Sequence, residues 1–228
     1  EPTYAKVARS VPSATGTKTC AWRSAFPRMR EWVGERTLNK LGKQAMSIEN
    51  KLFESTVSVP RTDIEDDQMG IYRPIMKQAG VSAAELPDDL VWPLLAKGKA
   101  TLCYDGQNFF DTDHVWYKNV DGTGTTKNMS NLTTGTDADA PTWYVIDDTN
   151  VLKPLVYQER TKPELETKFD PSKSDKVFLE DVYLYGIRAR GNAGFGLWQL
   201  AHMVEKTNLT KAALARVVKE RKELKADG

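Results

Sequence analysis

The sequence predicts an α+β fold. Helical patterning occupies 62–97 and 209–224, whereas strand-like stretches recur at 36–41, 47–59, 142–147, 155–158 and 177–187. The one glycine cluster, Gly191, Gly194 and Gly196, has GxxGxG spacing and opens no βαβ nucleotide unit.

Composition removes several classes. The 228 residues carry 32 Lys plus Arg against 31 Asp plus Glu, and 28% charged residues leave no apolar run near the ~18 that a membrane span needs. Six Trp, eight Tyr and seven Phe in a nearly neutral chain exclude global disorder. The length suits one large domain or two small ones. Cys20 and Cys103 stand far apart, with neither zinc spacing nor a disulfide framework, which suits a reducing compartment. Glu1–Arg9 lacks the basic start and apolar stretch of a signal peptide, and a helix runs into Gly228, so the sequence reads as a piece of a longer subunit.

Near-neutrality conceals an asymmetry. Residues 1–60 carry 10 basic and 5 acidic side chains (+5), 61–150 carry 7 and 15 (−8), 151–204 carry 8 and 7 (+1), and 205–228 carry 7 and 4 (+3). Opposite signs in different segments allow the chain to fold back on itself or to pair head to tail with another copy. No Lys/Arg-rich stretch is interleaved with aromatics, so a dedicated nucleic-acid surface is not supported.

Residues 1–30, with Pro12, Gly16, Pro27 and the isolated aromatics Tyr4, Trp22 and Phe26, read as an extended arm whose aromatics dock onto something. Two strands, Arg36–Leu41 and Ser47–Val59, then read as a hairpin around Gly42. In its second strand Phe53, Val57 and Val59 share one face. Neither face is rich enough for a core, so the hairpin is expected to lie on another surface, that of a neighbouring subunit or of its own sheet. Thr62 and Glu65 form a capping-box signal, with Asp63, Glu65, Asp66 and Asp67 in the first turns where the helix dipole favours acids. Gly70 and Pro74 are expected to interrupt this helix, and Ser82 with Glu85 repeats the capping signal, which gives two helical pieces before Gly98.

Asp111, Asp113 and His114 are the residues an enzyme reading would use. Carboxylates and an imidazole suit a divalent metal, yet only His202 is a second histidine, and Asp turn chemistry explains the same residues. Residues 118–142 read as a loop, and no triad motif, P-loop or HExxH occurs. Val177–Ile187 reads as a strand, and Gly191, Gly194 and Gly196 as points of tight backbone approach within a sheet.

Several blocks then fall into a recognisable order: Phe26-Pro27 with Arg30–Arg36, Ser47–Lys51 with Phe53-Glu54, Asp63–Asp67 with Gly70–Tyr72, Cys103–Asp111 with His114, Asn119–Gly124, Lys153–Leu155 with Gln158–Arg160, and Gly194–Ala201. Together they resemble the major head subunit of Mu-like bacteriophages and prophages, the T protein family, across nearly the whole chain. The resemblance implies a tailed-phage capsid fold of the Hong Kong ninety-seven type. Residues 1–30 would be its N-terminal arm, 31–61 the extended β-hairpin loop, 62–135 the peripheral domain with its spine helix, and 136–228 the remaining antiparallel sheet and the start of an incomplete axial domain.

The resemblance further implies a major capsid protein without enzymatic activity, metal or cofactor. Its copies would form hexamers and pentamers of an icosahedral shell, built in the bacterial host cytoplasm and ending in the virion capsid. Partners would be other copies, scaffold/protease and portal proteins and, non-specifically, packaged double-stranded DNA, with no membrane. Subunit-interface candidates are Trp32, Arg36, Lys40, Lys43 and Phe53, with Asp63, Glu65, Asp66 and Asp67 as acidic counterpart. The alternatives are a metal-dependent hydrolase using Asp111, Asp113 and His114, and a monomeric β-rich binding module.

Overall fold

The computed structural model describes residues 2–15, 17–23, 43–66, 70, 72–118 and 124–224, with the backbone alone at 17–23, 43–46, 73 and 76. Among these, a 3-10 turn (Tyr4–Lys6) leads into β1 (Ala8–Pro12), followed by β2 (Thr17–Arg23), β3 (Lys43–Glu49), β4 (Lys51–Pro60), α1 (Arg61–Glu65) and α2 (Tyr72–Ala96). The second half contains β5 (His114–Tyr117), β6 (Thr126–Met129), β7 (Leu132–Thr134), β8 (Trp143–Ile146), β9 (Leu155–Lys168), α3 (Asp175–Glu180), β10 (Val182–Phe195), β11 (Ala201–Glu205) and α4 (Lys211–Glu223).

Four sheets result. The largest has the order β1-β9-β10-β4, with β1 parallel to β9 and the other neighbours antiparallel. A second has the order β7-β11-β8, and β2-β3 and β5-β6 are two-stranded ribbons. The main core gathers Val91 and Leu95 of α2, Phe109, Phe110, Leu155, Tyr157, Phe195, Trp198 and Met203. Phe109 stacks on Phe195 at 4.1 Å between ring centroids and meets Phe110 edge-on at 4.8 Å. Such aromatic pairs add ~0.5–1.5 kcal/mol beyond the area they bury.

Of the aromatics expected to dock, Tyr4 packs edge-on against Tyr157 at 5.4 Å; Val7 and Ala8 enter the core, and Ala8–Pro12 joins the large sheet beside β9. The hairpin is corrected. Its described strands are β2 and β3, paired from Thr17↔Glu49 to Arg23↔Lys43, whereas β4 pairs along β10 from Pro60↔Val182 to Lys51↔Gly191. A single residue, Asn50, separates β3 from β4, and alternation running through it gives no sign that the chain changes partner. Residues 36–41, expected as the first strand of the hairpin, lie outside the described residues.

The helices hold two corrections. Thr62 does not cap α1: strand pairing reaches Pro60, the helix begins at Arg61 without a side-chain cap, and the Arg61 amide donates instead to Asp181 O at 3.0 Å. The break lies before Tyr72, at Gly70 with φ +63°, and α2 then runs unbroken through Ser82–Glu85 and through Pro87 and Pro93. Pro74 sits in the first turn, where the missing N–H costs nothing.

Further strands appear where polar sequence suggested loops. β9 continues past Gln158 to Lys168 because β10 pairs with it, and its Pro163 falls where the register shifts between Arg188 and Gly191, so no ladder donor is lost. β6 and β7 lie inside the 118–142 stretch. Residues 177–187 divide: α3 ends at Asp181, which has φ +50°, and only Val182 onward is strand. The terminal helix is as expected, with Thr210 Oγ1 accepting from the Ala213 amide at 3.1 Å.

Candidate functional site

A projecting ribbon and an acidic tip are the surfaces that sequence and structure bring forward together. The ribbon leaves the large sheet between Ser13 and Asn50, and a polar cluster holds its root. Gln158, fully buried on β9, donates from Nε2 to Ile48 O at 3.1 Å and to Asn50 Oδ1 at 2.8 Å. Asn50 Nδ2 in turn donates to Thr15 O at 2.9 Å and Ser13 Oγ at 3.2 Å. Asn192 Nδ2 donates to Glu49 O at 2.8 Å, Arg160 to Ser13 O at 3.1 Å, and the Ser13 amide to Glu159 O at 2.8 Å. Gly194 lies beneath Ile48, where an added Cβ would stand 2.4 Å from Ile48 Cδ1. The expected backbone approaches are at Gly191 and Gly196, where an added Cβ would stand 2.7 Å from Gln158 O and 2.6 Å from Lys153 O, and a register shift adjoins Gly191.

The acidic tip is built by α1 against the end of α3. Arg61 bridges them: its Nε stands 3.4 Å from Asp181 Oδ1, and its guanidinium lies 5.3 Å from the Tyr183 ring centre. Asp63 accepts from the Tyr72 hydroxyl at 2.9 Å, while Glu65 and Asp66 are exposed. Beside this tip α3 leaves Phe178 and Leu179 exposed at 71% and 77%.

Of the nine interface candidates, Trp32, Arg36, Lys40 and Asp67 lie outside the described residues, and Lys43 is described by its backbone, at the far end of the ribbon. Phe53 is half-buried on β4 and lines a cavity of about 210 Å³ with Ala79, Ala83 and Leu86 of α2 and Ile187 of β10, so it packs within its own chain. Sequence reasoning missed Gln158, Asn50 and Asn192. Uncharged amides carry no periodicity signal, and their role depends on a pairing 108 residues apart in sequence.

The enzyme alternative does not assemble among the described residues, where no group of three His, Cys, Asp or Glu could hold a metal. His114 turns inward: its Nδ1 lies 2.6 Å from Asp105 Oδ2, and its ring stacks on Trp198 at 4.0 Å. Asp111 Oδ1 accepts instead from the Thr112 amide at 2.7 Å. Burial pushes the Asp111 carboxyl up, but the Thr112 amide and the Asp113 side chain outweigh it and hold it below the usual carboxylate range. The Asp113 carboxyl is raised by its hydrogen bond to Asp111 and by that charge.

The sequence pattern of the Mu-like prophage major head subunit gpT matches residues 1–228. The chain belongs to this family. It is 45% identical over 204 residues to the major capsid protein of Escherichia phage Mu, covering 89% of this chain and 66% of that protein. Over 229 residues it is 42% identical to the Mu-like prophage FluMu major head subunit of Haemophilus influenzae, covering 99% of this chain and 73% of that one. Among solved structures, a chain from the procapsid of bacteriophage JBD30 superposes with a TM-score of 0.87 at 48% identity, covering 100% of this chain and 75% of that chain. The fold is therefore that of tailed-phage head subunits. The chain spans about two thirds of the Mu protein's length. No helix among the described residues is long and apolar enough to cross a membrane.

Proposed function

We propose that the subunit to which this chain belongs assembles with copies of itself into the icosahedral shell of a Mu-like phage or prophage head, enclosing double-stranded DNA. The observation that carries this is the match to a procapsid chain over all of this chain at a TM-score of 0.87. Function in this reading resides in surfaces. Residues 1–30 serve as the arm, 31–61 as the loop laid across a neighbour, 62–135 as the peripheral domain and 136–228 as the remaining sheet and the start of the axial domain. Because β2 pairs with β3, the loop takes its first strand from the arm segment.

In hexamers and pentamers, Trp32, Arg36, Lys40 and Lys43 of one copy face Asp63, Glu65, Asp66 and Asp67 of the next. The +5 of residues 1–60 and the −8 of residues 61–150 support this pairing, since complementary fields set register. Portal and scaffold/protease proteins are further partners in the host cytoplasm, and packaged DNA is held non-specifically. Reversing Arg36, Lys40 and Lys43 to Glu in the complete subunit should leave its circular dichroism unchanged and abolish heads in electron micrographs. Reversing the acids to Lys in the same protein should restore them. Normal heads from the first variant would sink the pairing.

A further inference from the structure

The polar cluster at the root of the ribbon does more than satisfy buried atoms. We propose that Gln158 and Asn50 are positioning residues that lock the angle at which the β2-β3 ribbon leaves the large sheet, and thereby aim it at the neighbouring copy. The inference rests on the assembly reading for its consequence, and on the hydrogen bonds alone for its mechanism.

The ribbon has few other supports. β2 pairs with β3, and β3 is the strand that touches β10. Both chain crossings into it, at Ser13–Thr15 and at Glu49–Asn50, are tied to β9 and β10 by Arg160, Glu159 and Asn192, and Gln158 with Asn50 joins the two. Gln158 takes the β3 side through Ile48 O and Asn50 Oδ1, and Asn50 passes the restraint to the β2 side through Thr15 O and Ser13 Oγ. Every neighbour of Gln158 Nε2 in this set is an acceptor, as are those of Asn50 Nδ2, so the orientation of each amide follows from its donors. Ile48, 3% exposed above Gly194, shields the buried Gln158 end of the cluster, while the Asn50–Thr15 end is exposed.

Leverage makes the angle matter. Seven residues per strand carry the ribbon ~23 Å from its root, so a tilt of about 10° moves its far rung, Arg23↔Lys43, by ~4 Å, close to one inter-strand spacing. A ribbon free to swing that far would offer its tip to a neighbour in many registers.

The test measures the angle and the heads separately. Spin labels at Lys18→Cys on β2 and Glu166→Cys on β9, in a Cys20→Ser background, report the β2 side, and Ser47→Cys with Glu166→Cys reports the β3 side. Gln158→Leu keeps the volume and removes both donors. It should broaden both distance distributions about twofold and lower head yield about tenfold, the shift expected from one buried hydrogen bond of ordinary worth. Asn50→Asp keeps the acceptor for Gln158 and loses both donations, so it should broaden the β2 distribution alone. If Gln158→Leu fails to fold, the Asn50→Asp contrast decides.

Distributions as narrow as wild type overturn the lock, and broad distributions with full head yield overturn its role in positioning. A wild-type subunit that forms no heads overturns the assembly reading instead, with the distances still deciding on the lock.

Discussion

Acidification should destabilise this protein through His202 before its carboxylates titrate. The imidazole is 1% exposed at the centre of the β7-β11-β8 sheet, beneath α4. Its Nε2 lies 2.8 Å from Thr133 Oγ1, and its Nδ1 has no partner among the described residues. Burial, and after it the Arg221 and Arg216 guanidinium groups, push its pKa down from 6.5 to about 4. Glu220 accepts from Thr133 at 3.5 Å and pairs with Arg216 at 3.7 Å.

The unfolded chain takes up a proton as pH falls through 6.5, and the folded chain takes none until about 4. The stability due to burying a neutral ring is therefore complete above pH 6.5, declines between 6.5 and about 4, and is gone below. A difference of roughly 2.5 units corresponds to ~3 kcal/mol at 1.36 kcal/mol per unit. At ~2–4 °C per kcal/mol for a chain of this size, thermal midpoints should fall about 6–12 °C across that window. His202→Gln removes the titration and should flatten this slope, although its midpoint near neutral pH will be lower. The stability contributed by Asp147, Asp170 and Glu205, whose carboxyls are held low mainly by hydrogen bonds to Thr149, Ser172 and Lys99, is lost from the lower end of the window downward, equally in both proteins. Parallel midpoint-against-pH curves for wild type and variant would refute the reasoning.

Two other outcomes follow from the core. Phe109→Ala removes a fully buried ring that stacks on Phe195, and should cost ~3–5 kcal/mol in denaturant titration, among the largest single losses in the chain. Cys103 is buried and its thiol is pushed up to about 12, first by burial and then by the charge of Asp105. In a Cys20→Ser background it should therefore resist thiol reagents at neutral pH and react only on unfolding; rapid labelling of the native protein would contradict its placement.

What the sequence could reveal follows the range of the forces involved. α4 was legible because its apolar spacing is local, and the tight glycines because a cluster of them forecasts close backbone approach. The second half of β9 was not legible. Residues 162–168 are exposed and charged, and they are strand because β10 supplies their hydrogen-bond partners. α3 misled for the complementary reason: Phe178 and Leu179 look like strand residues meant for a core, yet both face solvent. The acidic run at Asp63–Asp66 was visible as charge, but its attachment to α3 through Arg61 and Asp181 depends on the strand pair Pro60↔Val182.

The same distinction separates what makes this chain fold from what would make it assemble. Its core is concentrated where α2, β9, β10 and β11 meet, and that region needs no neighbour. The ribbon is different: its described strands pair with each other, and the amides around Gln158 and Asn50 fasten its root to the large sheet. A mutation in the first region should therefore appear as lost stability alone, whereas one at the root should lower stability by about the worth of a buried hydrogen bond and also appear where copies meet. For a chain of net charge +1 whose first 60 residues carry +5, that root decides where the basic segment is presented to the next copy.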